Sequence, residues 1–412
     1  MRVCGAMPSL CSSPVPTRSR RWRSLAALGA AGALGLALHL SCATPASLER
    51  RQERLAQSAH WAEGRFENPR DSLPIESKGS GGTFFKFLFV SGEREPEPPL
   101  PVTKVLPASL LEPPADSVRV TWFGHSSVLL EIEGRRVLCD PVWSERASPV
   151  GIAGPKRFGP PPLELSELPD PDVVVISHDH YDHLDEETVR ALSARGARFA
   201  VPLGVGARLE DFDLPPERIH ELDWWEGLEV VPGELTLVAT PARHFSGRGP
   251  FDRNRTLWAS WVVLGRSKRV FFGGDGGLSD GQSEIGERFG PFDLTMLEIG
   301  AYDEAWADIH FGPEKALQAH ERLRGEVLMP IHWATFSLAL HAWYAPGEGL
   351  LEANRMHNAR LALPRIGQSF SLDQPLPDEP WWREAMPKAG PSAEGSAFVS
   401  PGGDRRRRAD PW

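Results

Sequence analysis

Residues 171–185 read PDVVVISHDHYDHLD, and this stretch decides the fold. Its first half is a short, continuous apolar run, the pattern of a β-strand covered on both faces. Its second half, Ser177-His178-Asp179-His180-Tyr181-Asp182-His183, packs three histidines and two further acids into the turn that follows. In extended or loosely coiled chain, residues two apart point the same way, so His178 and His180 can share one metal ion while Asp182 and His183 face a neighbouring position. A lone histidine is more often structural. Three in H-x-H-x-D-H are not explained by packing, because burying several unpaired imidazoles is costly.

The flanking sequence repeats the same unit. SVRVTWFG, SVLLEIEG and RRVLCDP read as successive strands with a hairpin at Gly134. LTLVATPARH, TLWASWVVLG, KRVFFGGDGG, DLTMLEIG and EVLMPIHW are further strand-then-turn units. Two helices are predicted. EETVRALSARG has Asp185 as N-cap and Gly196 as its stop. PEKALQAHERLR is opened by Pro313 and ended by Gly325. The class is α/β, and polar residues gather at the C-terminal ends of strands, where sheet proteins collect ligands. His244, Asp275 within Gly273–Gly277, and His332 each stand at such an end. With the cluster they supply five histidines and two carboxylates, enough for two metal ions and a bridging acid. Nitrogen and oxygen donors without cysteine suit zinc, with iron or manganese as alternatives.

The H-x-H-x-D-H motif with its spaced His, Asp and His resembles the metallo-β-lactamase superfamily, which implies a four-layer αβ/βα sandwich. WFGHSSVLLEIEG, DPVWSERASPVGIAGPKRFGP, TPARHFSGRG, RFGPFDL, IGAYD and IHWATFSLA are similar to the N-acylphosphatidylethanolamine-hydrolysing phospholipase D family and its bacterial relatives, over about residues 60 to 370. That resemblance implies a first zinc on His178, His180 and His244, a second on Asp182, His183 and His332, and Asp275 as the bridge. It implies that His310 lies near the substrate phosphate, against the plainer reading of a helix-entry histidine. The implied catalytic residues are Asp182, Asp275 and His310. The implied reaction is hydrolysis of the phospholipid to an N-acylethanolamine and phosphatidic acid by a hydroxide shared between the ions. The sequence departs from the animal enzymes at Ile309, at Gly276 and at Glu298, where they carry an apolar residue; the head-group preference is what these departures bear on. Asp140 is expected to orient a ligand histidine, and His125 either to do the same or to be a buried structural histidine. Two alternatives are a lactonase acting on a sugar-phosphate lactone, and a metal-binding envelope lipoprotein without catalysis.

The ends of the 412-residue chain read differently. Residues 1–42 hold five arginines and no acid, and the apolar run from Leu25 to Leu40 is short for a membrane span. This predicts a signal peptide, with Cys42 as a lipidated residue or with ordinary cleavage nearby; either way the protein is exported to the cell envelope, periplasmic or lipid-anchored. Residues 43–116 form a polar, proline-rich extension. Its aromatic patch, Phe84 to Phe89, either packs on the main domain or faces lipid. Residues 117–370 are the catalytic domain, and 371–412 are expected to be a flexible tail ending near Arg405–Arg408. A net charge of −10 argues against nucleic acid. The resemblance implies a phospholipid substrate, and an envelope anchor would place the site at the membrane surface beside it. Homodimerisation is left open. Three of four cysteines lie in the leader and only Cys139 remains, so disulfides do not hold the fold.

Overall fold

The computed structural model describes residues 45–69, 93–303, 306 and 308–387. The expected leader, the Phe84–Phe89 patch and the arginine run lie outside these residues. No helix among the described residues is long and apolar enough to cross a membrane.

Helix α1 (Pro45–Gln57) and a small hairpin, β1 (Trp61–Ala62) with β2 (Arg65–Phe66), precede the main body. Strands β3 (Val118–Trp122), β4 (Val128–Ile132) and β5 (Arg135–Cys139) follow as antiparallel neighbours. Glu133 and Gly134 both take positive φ, 47° and 88°, which gives the tight two-residue turn between β4 and β5. The chain then alternates: β6 (Val173–Val175), α2 (Glu186–Ala194), β7 (Phe199–Pro202), α3 (Val205–Asp211) and β8 (Ile219–Leu222). These strands add in parallel, and β16 (Ser369–Ser371) returns to the far edge, giving the order β16-β3-β4-β5-β6-β7-β8.

The second sheet repeats the plan. It starts with antiparallel β9 (Gly227–Val231), β10 (Leu235–Thr240), β11 (Ser260–Leu264) and β12 (Arg269–Phe272). Helix α4 (Gly281–Phe289), β13 (Leu294–Glu298), α5 (Gly312–Arg322), β14 (Val327–Ile331), α6 (Ala345–His357) and β15 (Arg360–Leu361) follow, with β12 to β15 parallel.

Strand residues alternate between two faces, and both faces are apolar here. Leu129, Leu138, Val174, Ile176 and Phe199 pack outward on Val189 and Leu192 of α2 and Val205 and Leu209 of α3. Val120, Trp122, Leu130, Val137 and Val175 join Leu237, Trp261 and Val263 in a core between the sheets, which continues to Ile285 of α4, Leu317 of α5 and Leu350 of α6. Each such side chain contributes roughly 1.5–3 kcal/mol when fully buried. Helices thus cover both outer faces, and the four-layer sandwich implied by the resemblance is the architecture observed.

The structure changes three local expectations. Asp185 stands at the N-cap of α2 as expected, but its side chain makes no capping bond; its carboxylate accepts from the Trp143 and Ser144 backbone N–H groups and from Thr188, tying the loop after β5 to the helix. Gly325 does not itself supply the left-handed turn after α5. Arg324 takes it, at φ 59°, and Gly325 is needed because a Cβ there would stand 2.4 Å from the His320 ring. The third correction concerns the tail. From Asp373 the chain does not come loose but stays packed through Pro387, because Trp381 and Trp382 are 1% and 0% exposed. Proline and serine content masked two large apolar anchors.

Candidate metal centre

The loops after β6, β10, β12 and β14 all open at one end of the sandwich, and each brings an expected ligand. His178, His180 and His244 point ring nitrogens at one another. His180 offers Nδ1, which lies 2.7 Å from His178 Nε2 and 3.4 Å from His244 Nε2. Asp182, His183 and His332 form a second set: Asp182 Oδ2 is 3.5 Å from His183 Nε2 and 3.3 Å from His332 Nε2. Asp275 stands between the sets. Its Oδ1 is 3.2 Å from His183 Nε2, and its Oδ2 is 3.1 Å from His332, 3.8 Å from His244 and 4.0 Å from His178.

These residues fit metal ions. His183 Nε2, His332 Nε2 and Asp275 Oδ1 are buried and make no hydrogen bond, although each lies close to the others. Two donors on one tetrahedral zinc, each about 2.0–2.2 Å from it, stand roughly 3.3–3.6 Å apart. Most contacts across the second set fall at or just below that spacing, and only His178–His180 is much closer. Burial and the neighbouring imidazoles push His178 well below its usual range, so it stays neutral with a free lone pair. Burial would lower His332 as well, but Asp275 and Asp182 outweigh it and hold it up at about 10. Burial would raise Asp182 and Asp275, yet His183 and other imidazoles hold both well below the carboxylate range. One half is thus a neutral imidazole cup and the other an acid-lined one, where a bound cation would displace protons.

An outer layer fixes the ligand rings. Asp140, expected to orient a histidine, accepts from His183 Nδ1 at 2.7 Å and also takes the Ser177 backbone N–H and hydroxyl. Ser177 Oγ in turn lies 2.9 Å from His178 Nδ1. Gly274 permits this closeness: a Cβ there would stand 2.5 Å from that of Ser177. His244 Nδ1 donates to the Ile309 carbonyl. His125 lies 2.9 Å from Asp182 Oδ2 through Nε2, and burial lowers it to about 3, so it serves as a neutral donor to that carboxylate. Cys139 is buried and its thiol is pushed well above the usual value, so it plays no part.

His310, which the resemblance implies is near the substrate phosphate, lies at the rim of this cluster. Its Nδ1 is 3.9 Å from Asp275 Oδ2 and its side chain is 11% exposed. What sequence reasoning missed is its partner. Glu298, noted only as a departure, is the last residue of β13, wholly buried, with Oε2 2.6 Å from His310 Nδ1. Its Oε1 accepts from Gly276, the residue after Asp275, and from Phe311. The available signal was an acid closing an otherwise apolar strand, which requires a buried partner. Asn68 was also missed, and no pattern around it pointed to the site.

The wall beside the centre is roomy. His332 lines a small cleft with Phe158, Ser337 and Trp343, and the same three line a cavity of about 1170 Å³ with Arg94, Arg146 and Lys156. A second cavity, about 530 Å³, runs under Leu100, Val102, Phe158, Pro160 and Ile366.

The chain is similar to several known proteins. The β-lactamase superfamily domain matches residues 135–333. An uncharacterised protein of Mycobacterium tuberculosis is 45% identical over 333 residues, 79% of this chain and 88% of that one. An N-acyl-phosphatidylethanolamine-hydrolyzing phospholipase D of Caenorhabditis elegans is 39% identical over 234 residues, 54% of this chain and 66% of that one. Igni18, a metallo hydrolase of Ignicoccus hospitalis, is 25% identical with a TM-score of 0.47, over 62% of this chain and 98% of that one. The chain belongs to the metallo-β-lactamase superfamily and is one of its metal-dependent hydrolases.

Proposed function

We propose that this protein is a dinuclear zinc phosphodiesterase of phospholipase D type, which hydrolyses N-acylphosphatidylethanolamine to an N-acylethanolamine and phosphatidic acid. The observation that carries the reading is the pair of ligand sets meeting at Asp275 with His310 on their rim. The nematode relative supports the choice of substrate, and room for a lipid is offered by the cavity of about 530 Å³ lined by Ala334 and by the one of about 1170 Å³ that shares Phe158, Ser337 and Trp343 with the cleft at His332. Zinc bound there would polarise a phosphoryl oxygen and make water nucleophilic near neutral pH.

The chain's own groups do the rest. Glu298 takes His310 Nδ1–H, which fixes the ring and leaves Nε2 for the substrate. Burial alone would lower His310, but Glu298 and Asp275 hold it above the usual imidazole range, so it can donate to a phosphoryl oxygen or to the leaving alkoxide. His310→Ala is expected to lower kcat by about 10²–10⁴-fold, the usual contribution of a positioned acid, while metal content stays unchanged. Elemental analysis beside the rate assay checks both halves.

The reading extends to an exported protein at the cell envelope, periplasmic or held by lipid on Cys42, where its substrate resides. Its test is metal content together with activity on an N-acylated phospholipid and, side by side, on a sugar-phosphate lactone. Release of N-acylethanolamine supports it. Turnover of the lactone alone makes the protein a lactonase, and two bound ions with no hydrolysis of either would leave a binding protein.

A further inference from the structure

His244 is the one ligand of its set that comes from the second sheet, and its main chain lies beyond the end of β10. Leaving a strand costs a residue its ladder partners, and buried backbone groups need replacements. Here one side chain supplies both. Asn68 Oδ1 accepts from the His244 N–H at 3.0 Å, and Asn68 Nδ2 donates to the His244 carbonyl at 2.9 Å. No other hydrogen bond to either group is made among the described residues. A carboxamide can do this because it carries a donor and an acceptor in the arrangement of a peptide unit. The pair works like one rung of a sheet.

The clamp is itself held. Phe66, two residues earlier, is buried in the inter-sheet core, donates its N–H to the Asn254 carbonyl at 2.7 Å, and accepts from Asn254 Nδ2. Asn254 also pairs with Ser246, so the chain that follows His244 is stitched to β2 through Asn254. Upstream, Arg51 of α1 reaches Glu210 of α3 and Glu221 of β8 at 2.5 and 2.8 Å. The segment 45–68 precedes residue 135, where the match to the superfamily domain begins, yet it ends on a ligand's backbone.

We infer that Asn68 is a positioning residue for the ion held by His178, His180 and His244, and that the N-terminal segment completes the metal centre. With the ring fixed by Ile309 and the main chain by Asn68, Nε2 of His244 keeps its place beside His180. This rests on the reading of those three histidines as a metal site.

The test is metal affinity, measured on the full chain after stripping, by titrating Zn²⁺ against a chromophoric chelator and by the visible spectrum of bound Co²⁺. The parent is expected to bind two ions. Asn68→Ala weakens one of them about 10–100-fold, the usual loss when a ligand's outer partner is removed, and alters its cobalt spectrum. That ion is the one His244→Ala loses, and the other keeps its affinity. Asn68→Asp, which still accepts from the His244 N–H but cannot donate to its carbonyl, falls between. Parent-like binding and spectrum in Asn68→Ala overturn the inference; if that variant does not fold, parent-like binding in Asn68→Asp does so. A parent that binds no ion overturns the metal reading instead.

Discussion

Asp275→Ala is expected to lower turnover of every substrate the parent hydrolyses by on the order of 10³–10⁵-fold, the scale seen when one member of a catalytic unit is removed. The reason is its place. Its two oxygens lie 3.1 to 4.0 Å from ring nitrogens of both sets, which places it to bridge them. Both ions should weaken by more than the ten- to hundred-fold that an outer partner's loss causes. A second consequence falls on the metal-free protein. Without metal, Asp275 is the buried countercharge of His183 and His332, both held above the ordinary imidazole range. Removing it leaves them under-compensated, at a cost of about 3–5 kcal/mol in the metal-free protein. Asp275→Asn keeps the shape and loses the charge, and should show the same loss of ions. An asparagine variant that holds two ions and keeps a tenth of the parent's turnover would refute the bridging role.

The second large effect concerns the C-terminal segment. Trp382→Ala should destabilise the protein by about 3–5 kcal/mol, the range for deleting a large buried aromatic. Its ring is wholly buried, meets Trp333 edge-on at 5.0 Å, and gives its Nε1–H to Glu348 Oε1 at 2.7 Å. Gly347 lets it in: a Cβ there would stand 2.7 Å from the indole. Trp333 follows His332 directly, so the same packing backs the second candidate ligand set. Urea unfolding with an unchanged m-value reads the loss as stability rather than as a change in compactness. Trp382→Phe retains an aromatic ring and should lose less. A shift under about 0.5 kcal/mol, the size of an ordinary surface substitution, would mean that the segment beyond Asp373 is dispensable.

The two results divide along the line between local and distant information. The spacing of His178, His180, Asp182 and His183 put four candidate ligands in one turn, because six consecutive residues have few ways to bend. Strand ends marked His244, Asp275 and His332, since a polar residue closing an apolar run needs a partner. The apolar strands read as such for the same reason: both faces are covered, so alternation gives way to continuous Val, Ile and Leu. Helices α4 and α6 went unread, since Gly281, Gly286, Gly347 and Gly349 weaken their helical pattern.

By itself the sequence determined the class of fold and singled out the candidate donors, because these depend on residue types and short spacings. Only the tertiary structure decided which groups meet across the chain. Glu298 looked like a departure until β13 carried it beneath His310. Asn68 looked like linker until a hairpin laid it against His244, 176 residues away. Trp381 and Trp382 looked like tail until Gly347 and Trp333 received them. In each case the partner lies on another element, and hydrogen bonding or burial between them leaves no periodic trace in either stretch of sequence.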